Sequence, residues 1–133
     1  MEDGRLNILA VDTSGPVAGC AVMREGKIAY TAAIRVGLTH SQTILPAVDT
    51  ALQAVDMRME DMDVFAAVTG PGSFTGVRIG VCMVKGFAHA VGKPCCAVNA
   101  LEALAMNAAG FDGLVCPILD ARRGQVYCAA FDV

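Results

Sequence analysis

A basic excess is missing from this sequence. Ten Lys and Arg residues stand against thirteen Asp and Glu in 133 residues, a formal charge of −3. A protein that grips many phosphates by itself carries a surplus or a stripe of positive charge. The balance therefore disfavours a stand-alone nucleic-acid binder, while leaving room for a subunit of a larger RNA-acting assembly. Charge of either sign is scarce, at 17% against 55% hydrophobic residues. That excludes a disordered chain and exceeds what a small monomer needs for its core, so part of the apolar surface is expected to meet a partner. Long hydrophobic runs are absent too. The N-terminus is acidic, and the first apolar run, Leu6 to Val11, is broken by Asp12. It is too short for a signal-peptide core or a membrane span, so a cytoplasmic protein with no membrane partner is expected. The six cysteines, Cys20, Cys82, Cys95, Cys96, Cys116 and Cys128, include no C-x-x-C pair. They read as reduced core thiols rather than a disulfide framework or zinc site, and the vicinal Cys95–Cys96 pair is given no role.

What is there is an α/β pattern of about one domain. Leu6 to Val11, Ala18 to Met23 and Ile28 to Val36 are apolar runs separated by Asp12-Thr13-Ser14-Gly15-Pro16 and Glu25-Gly26-Lys27. Both linkers carry turn residues, which predicts an antiparallel three-strand meander. Thr39 with Gln42 suits a capping box, and Ile44, Leu45, Val48, Leu52 and Val55 recur at helical spacing. Pro46 belongs in a first turn, so the regular helix is expected to begin near Thr43 or to bend there. Met57 to Asp61 reads as a polar loop. Val64 to Thr69 reads as a buried strand, Phe74 to Val91 as a helix stopped at Gly92-Lys93-Pro94, Cys95 to Val98 as a short strand, and Ala100 to Ala109 as a helix ending at Gly110. The expected fold is a mixed sheet flanked by helices.

A weak repeat runs through the chain. Ile8 to Asp12 enters a polar turn and leaves through Ala18 to Val22; Cys116 to Asp120 enters Ala121-Arg122-Arg123-Gly124 and leaves through Val126 to Phe131. Apolar strand, Asp, turn and small-residue strand recur, as in a duplicated architecture. The reading is a lobe over 1–112 and the first hairpin of a second, largely missing lobe over 113–133.

Gly70 to Gly76 lies between a predicted strand and a predicted helix, where backbone amides and the helix dipole favour anions. It is not a Walker loop, since Gly76 is followed by Val77-Arg78, and the Rossmann spacing fails at Thr75. Anion binding or a tight turn whose glycines permit close approach are both open. Gly76 and Gly80 share one helical face. Each interior Gly costs about 1 kcal/mol relative to Ala, so the stripe suggests that another backbone comes close, either this chain's own sheet or a second subunit.

Val68-Thr69-Gly70-Pro71-Gly72-Ser73-Phe74-Thr75-Gly76-Val77-Arg78-Ile79-Gly80 is specific. Together with Ile8 to Ser14, His40-Ser41-Gln42, Leu45-Pro46 and Leu119 to Tyr127, it resembles the bacterial TsaB (YeaZ) family over essentially the whole chain. Those proteins are accessory subunits for making N6-threonylcarbamoyladenosine at position 37 of tRNA, in the glycoprotease-like superfamily. The resemblance implies an actin-like, ribonuclease H-like lobe of the Hsp70 and sugar-kinase (ASKHA) superfold, and family members continue through a complete second lobe. It also implies a non-catalytic scaffold that binds and activates the transferase TsaD, with the ATPase TsaE in the complex and tRNA reached indirectly. The partner would be a second copy or the catalytic paralogue. The helices from Thr43 to Val55 and from Phe74 to Val91 would form a bundle with it, through Leu45, Val48, Leu52, Thr75, Gly76, Ile79, Gly80 and Met83.

TsaD holds a metal through two His at i and i+4. The corresponding stretch here, Val98-Asn99-Ala100-Leu101-Glu102-Ala103-Leu104, has Ala100 and Leu104 at those positions, which supply no lone pair. His40 and His89 are far apart and read as structural or surface residues. No cofactor is expected in this chain. Phosphate in the superfold sits between two hairpin loops, matched here by Asp12-Thr13-Ser14 and Asp120 to Gly124, and without the rest of a second lobe no closed cleft forms. ATP is expected only at a subunit junction, through Asp12, Thr13, Ser14, Gly72, Ser73 and Arg78. The competing readings are an ATP-dependent kinase or transferase of the same superfold and, last, a metallo-glycoprotease.

Overall fold

The computed structural model describes residues 4–35 and 40–132. Three strands, β1 (Ile8–Asp12), β2 (Ala18–Arg24) and β3 (Lys27–Ile34), are followed by helix α1 (His40–Ala54), a 3-10 turn at Met59–Asp61 and β4 (Val64–Val68). Helix α2 (Phe74–Val91), β5 (Cys95–Val98) and α3 (Ala100–Ala105) come next, then β6 (Leu114–Val115), β7 (Ile118–Arg122), β8 (Gln125–Cys128) and β9 (Phe131–Asp132). The sheet order β3-β2-β1-β4-β5 is mixed: β1 pairs antiparallel with β2 and parallel with β4, and β4 pairs parallel with β5. The expected meander and the mixed sheet are both present. β6 with β9, and β7 with β8, form two small antiparallel pairs outside that sheet.

Alternation along β1 places Leu9 and Val11 in the core and leaves Ile8 and Ala10 half-buried, the period of a strand with two differing faces. Leu9, Val11, Val22 and Phe65 pack with Ile44, Val48 and Ala51 of α1 and Val84 and Ala88 of α2 in one cluster. β4, an interior strand between β1 and β5, is buried over Phe65, Ala66 and Ala67, as expected of a strand covered on both faces. The Phe65 ring lies 6.0 Å from that of Phe87, within the range of an aromatic contact.

Local chemistry explains the helix ends. Ser73 Oγ accepts the Gly76 amide at the start of α2, and Gly92 closes the helix at φ 68°, the left-handed C-terminal position that glycine takes at least cost. Asn99 Oδ1 accepts the Leu101 and Glu102 amides at the start of α3. That helix tightens into a 3-10 turn at Met106–Ala108 rather than staying regular to Ala109. α1 starts at His40, earlier than the position near Thr43 that Pro46 suggests. His40 Nε2 donates to the Gly15 carbonyl at 2.6 Å, which fastens the first turn. Pro46 and Gln42, whose carbonyl loses its helical partner to the proline, are both exposed to water. Thr39 of the expected capping box lies outside the described residues.

The cysteines depart from the core-thiol expectation. Only Cys20 is buried, and burial pushes its thiol pKa up; Cys82, Cys95, Cys96, Cys116 and Cys128 are exposed. β5 is an edge strand, Cys82 is on the outer side of α2, and the last two sit at the small peripheral strands. Apolar neighbours in sequence do not bury a residue at a sheet margin.

Phe65→Ala is expected to cost about 3–5 kcal/mol, as the loss of a fully buried aromatic does, measured by denaturant unfolding. Thiol titration of the native protein should give five fast-reacting groups and one, Cys20, released only on unfolding.

Candidate functional site

Two loops meet at the carboxyl ends of the adjacent parallel strands β1 and β4, where open α/β sheets place ligands. β1 delivers Asp12-Thr13-Ser14-Gly15, and β4 delivers the loop from Thr69 to Ser73 and the N-terminus of α2. Asp12 Oδ1 accepts both the Ser14 amide, at 2.9 Å, and the Ser14 hydroxyl, at 2.6 Å. The Ser14 carbonyl accepts the Ser73 amide at 2.8 Å. Thr13 is buried and its hydroxyl donates to the Gly76 carbonyl at 2.5 Å. Asp12 Oδ1, Thr13, Ser14 and Ser73, four of the expected anion contacts, thus spend polar atoms on one another or on α2. Gly72 and Arg78 remain exposed.

The glycines explain how the loops fit. Gly70 adopts φ 109°, open to glycine but strained for any residue with a Cβ. A Cβ on Gly80 would lie 2.6 Å from Thr13 Oγ1. One on Gly72 would lie 2.9 Å from Ser14 Cβ and closer still to the Ser14 carbonyl oxygen, and one on Gly76 would drive into the Thr13 carbonyl oxygen. Gly76, Gly80, Val84 and Ala88 form the buried stripe of α2, and its small members let the helix lie against the end of β1.

This corrects the interface expectation at four positions. Gly76 and Gly80 are held against Thr13 of their own chain, and Val48 and Leu52 are core residues of α1. What faces outward is Leu45 on α1, 51% exposed, with Thr75 exposed and Ile79 and Met83 half-buried on α2. Phe74, 76% exposed, and Cys82 extend that face and were missed from sequence. The signal was available: Thr75, Ile79, Cys82 and Met83 share a helix face offset from the glycines. Thr75, Arg78, Ile79 and Cys82 line an open, mostly apolar groove of about 320 Å³. The Arg78 guanidinium lies 5.3 Å from the centre of the Phe74 ring, a cation–π distance.

At the positions where relatives' metal-binding imidazoles are expected, Ala100 is buried and Leu104 partly exposed, and neither offers a donor. His40 is engaged with Gly15, and His89 is exposed in the last turn of α2. Among the described residues no group of three or more His, Cys, Asp or Glu could hold a metal.

The pattern that defines TsaD, tRNA N6-adenosine threonylcarbamoyltransferase, matches residues 35–133, and the Bacillus subtilis protein named "tRNA threonylcarbamoyladenosine biosynthesis protein TsaB" is 43% identical over 95% of this chain. The chain belongs to the TsaB (YeaZ) family. It spans 55% of the B. subtilis relative, so about half of that protein's length. The solved structure of YeaZ from Pseudomonas aeruginosa superposes with a TM-score of 0.88 at 32% identity, covering 96% of this chain and 61% of that one. A Bacteroides thetaiotaomicron protein described as having an actin-like ATPase fold and unknown function superposes at TM-score 0.51 and 8% identity, over 77% of this chain and 37% of that one. That likeness carries the fold alone, and it is the actin-like one expected for this TsaB-family lobe. No helix among the described residues is long and apolar enough to cross a membrane.

Replacing an interior helical Gly with Ala ordinarily gains about 1 kcal/mol. At Gly76 the sign should reverse, because the new methyl meets a backbone carbonyl. Gly76→Ala is expected to lose about 1–3 kcal/mol, the usual cost of overpacking, whereas Thr75→Ala on the exposed side should change stability by less than about 0.5 kcal/mol. Thermal or denaturant unfolding of the pair checks both.

Proposed function

We propose that this chain is a non-catalytic partner subunit in the formation of N6-threonylcarbamoyladenosine at position 37 of tRNA, docking onto and activating the transferase TsaD. The observation that carries the reading is the outward face of α2. The helix is fastened to its own sheet by its small residues, yet presents Phe74, Thr75, Ile79, Cys82 and Met83 outward, and α1 exposes Leu45. An apolar stripe on two neighbouring helices fits ridge-into-groove packing against helices of a partner. The name of the B. subtilis relative supports the pathway. The partner is the catalytic paralogue or a second copy, with the ATPase TsaE joining the assembly and tRNA reached through it, in the cytoplasm.

A scaffold role also agrees with the chemistry of the two loops. Asp12 Oδ1, the Thr13 and Ser14 hydroxyls and the Ser73 amide are engaged within the chain, and Ala100 and Leu104 offer nothing to a metal. Nucleotide is then met only at a junction between subunits, through exposed groups such as Arg78.

Thr75→Arg and Cys82→Arg, both at exposed positions, should leave the melting temperature within a few degrees. Each should weaken co-sedimentation with TsaD at least about tenfold, the loss of roughly 1.4 kcal/mol. Alkylation of Cys82 should slow in the complex while that of Cys128 does not. Unchanged assembly of both variants together with unprotected Cys82 would falsify the docking face. A calorimetric titration of the isolated chain with ATP should give only heats of dilution; saturable heat would favour the nucleotide-dependent enzyme.

A further inference from the structure

The interior glycines of α2 fall into two kinds. A Cβ on Gly76 would meet the Thr13 carbonyl oxygen and one on Gly80 the Thr13 hydroxyl, so folding accounts for both. Gly86 is different. It is exposed, and a Cβ there would meet no atom within 4 Å. It lies inside the helix, where glycine is unfavourable relative to alanine. Nothing in this chain's own packing accounts for a missing methyl at that point.

Gly86 follows Cys82 by one helical turn, on the line of the groove formed by Thr75, Arg78, Ile79 and Cys82. Ile79, Met83 and Phe87 flank that line on one side and pack against the chain's own core. Lys85 and His89 flank it on the other and are exposed. The helix belongs, with α1, to the layer packed over one face of the sheet. The chain leaves that layer after Val91: Ala100, Leu101 and Ala105 of α3 are buried but lie outside its core cluster. The charge of this face is of one sign. Between Asp63 and Glu102 the sequence has Arg78, Lys85 and Lys93 and no Asp or Glu. The outward cations of α2 thus have no carboxylate on their own helix, and the Arg78 guanidinium lies over the Phe74 ring.

We propose that an acidic helix of the transferase crosses α2 at Gly86, its apolar side chains in the groove and its carboxylates towards Arg78 and Lys85; this rests on the function proposed above. Two helices come closest where a side chain is absent, so a ridge of the incoming helix seats in the gap that Gly86 leaves. Cations at the rim of an apolar groove then select the partner by sign, favouring carboxylates and penalising like charge. A second copy fits this face less well. Two-fold pairing through α2 would set its cations against themselves, and α1 has a single carboxylate, Asp49, whose Oδ2 already accepts the Gln53 amide at 3.2 Å. A phosphate backbone fits less well too, because the groove is mostly apolar and the chain carries a net charge of −3.

The test measures binding to TsaD and melting temperature for the wild-type chain, Gly86→Ala, Gly86→Leu, Lys85→Glu and Lys85→Arg. Wild-type co-sedimentation comes first; its failure overturns the docking function, whereas the variants address the crossing alone. Gly86→Ala should melt at an equal or higher temperature, since alanine is the better helix former, yet bind about 3-fold or more weakly, and Gly86→Leu should lose at least about tenfold. A single methyl that stabilises the chain and weakens assembly is a pairing that a merely structural glycine does not give. Lys85→Glu should bind about 2- to 10-fold more weakly at low salt, with the gap closing as salt rises. Lys85→Arg should match the wild type. Wild-type affinity in both Gly86 variants, or in Lys85→Glu, would overturn the proposal, as would a lower melting temperature in Gly86→Ala. A dimer of the chain alone that Gly86→Leu dissolves while TsaD binding is unchanged would assign the crossing to a second copy and overturn it. tRNA retained by the isolated chain and lost in Lys85→Glu, with TsaD binding unchanged, would assign the cations to RNA and overturn it too.

Discussion

The contact between the end of β1 and the first turns of α2 sets the rest of this structure. Thr13, itself buried, donates its hydroxyl to the carbonyl of Gly76, and Gly76 and Gly80 have no side chains to hold the helix away. The helix therefore sits one methyl closer to the sheet than alanine would permit. Two things follow from the same approach. The turn after β1 becomes an internal joint, with Asp12 Oδ1, the Thr13 hydroxyl and the Ser14 carbonyl held by Ser14, Gly76 and Ser73 respectively. The opposite side of α2 is left with its larger residues facing out.

Most of the fold was legible in the sequence because local chemistry and long-range packing agree. The turn residues between β1, β2 and β3 forecast a meander, and Ser73 and Gly92 bracket α2 at Phe74 and Val91. Asn99 marks the start of α3. The shared pattern around Asp12 and Asp120 carries one shared contact, each carboxylate accepting the amide two residues on, while the turns that follow differ in length and backbone hand.

The candidate site was legible only in part. A stripe of small residues says that something comes close but not whose backbone it is; Gly76 and Gly80 look alike in a helix pressed on its own sheet and in one pressed on another subunit. Val48 and Leu52 were equally ambiguous, since apolar residues at helical spacing serve a core and an interface alike. Only topology, which brings β2 and β3 under α1, assigns them to the core. Burial of the cysteines failed for a related reason. Hydrophobic context along the chain cannot report that β5 is the last strand of its sheet. Pro46 misled because the anchor for the start of α1 is the Gly15 carbonyl, 25 residues away in sequence.

A helix bolted down along one side has little freedom left to lose on the other. Whatever lands on the groove beside Arg78 and Ile79 meets a surface already in its final shape, so ordering entropy subtracts little from the association. Encounter is then limited by finding the right orientation, and differences between occupants of this ledge will show in how long they stay rather than how fast they arrive.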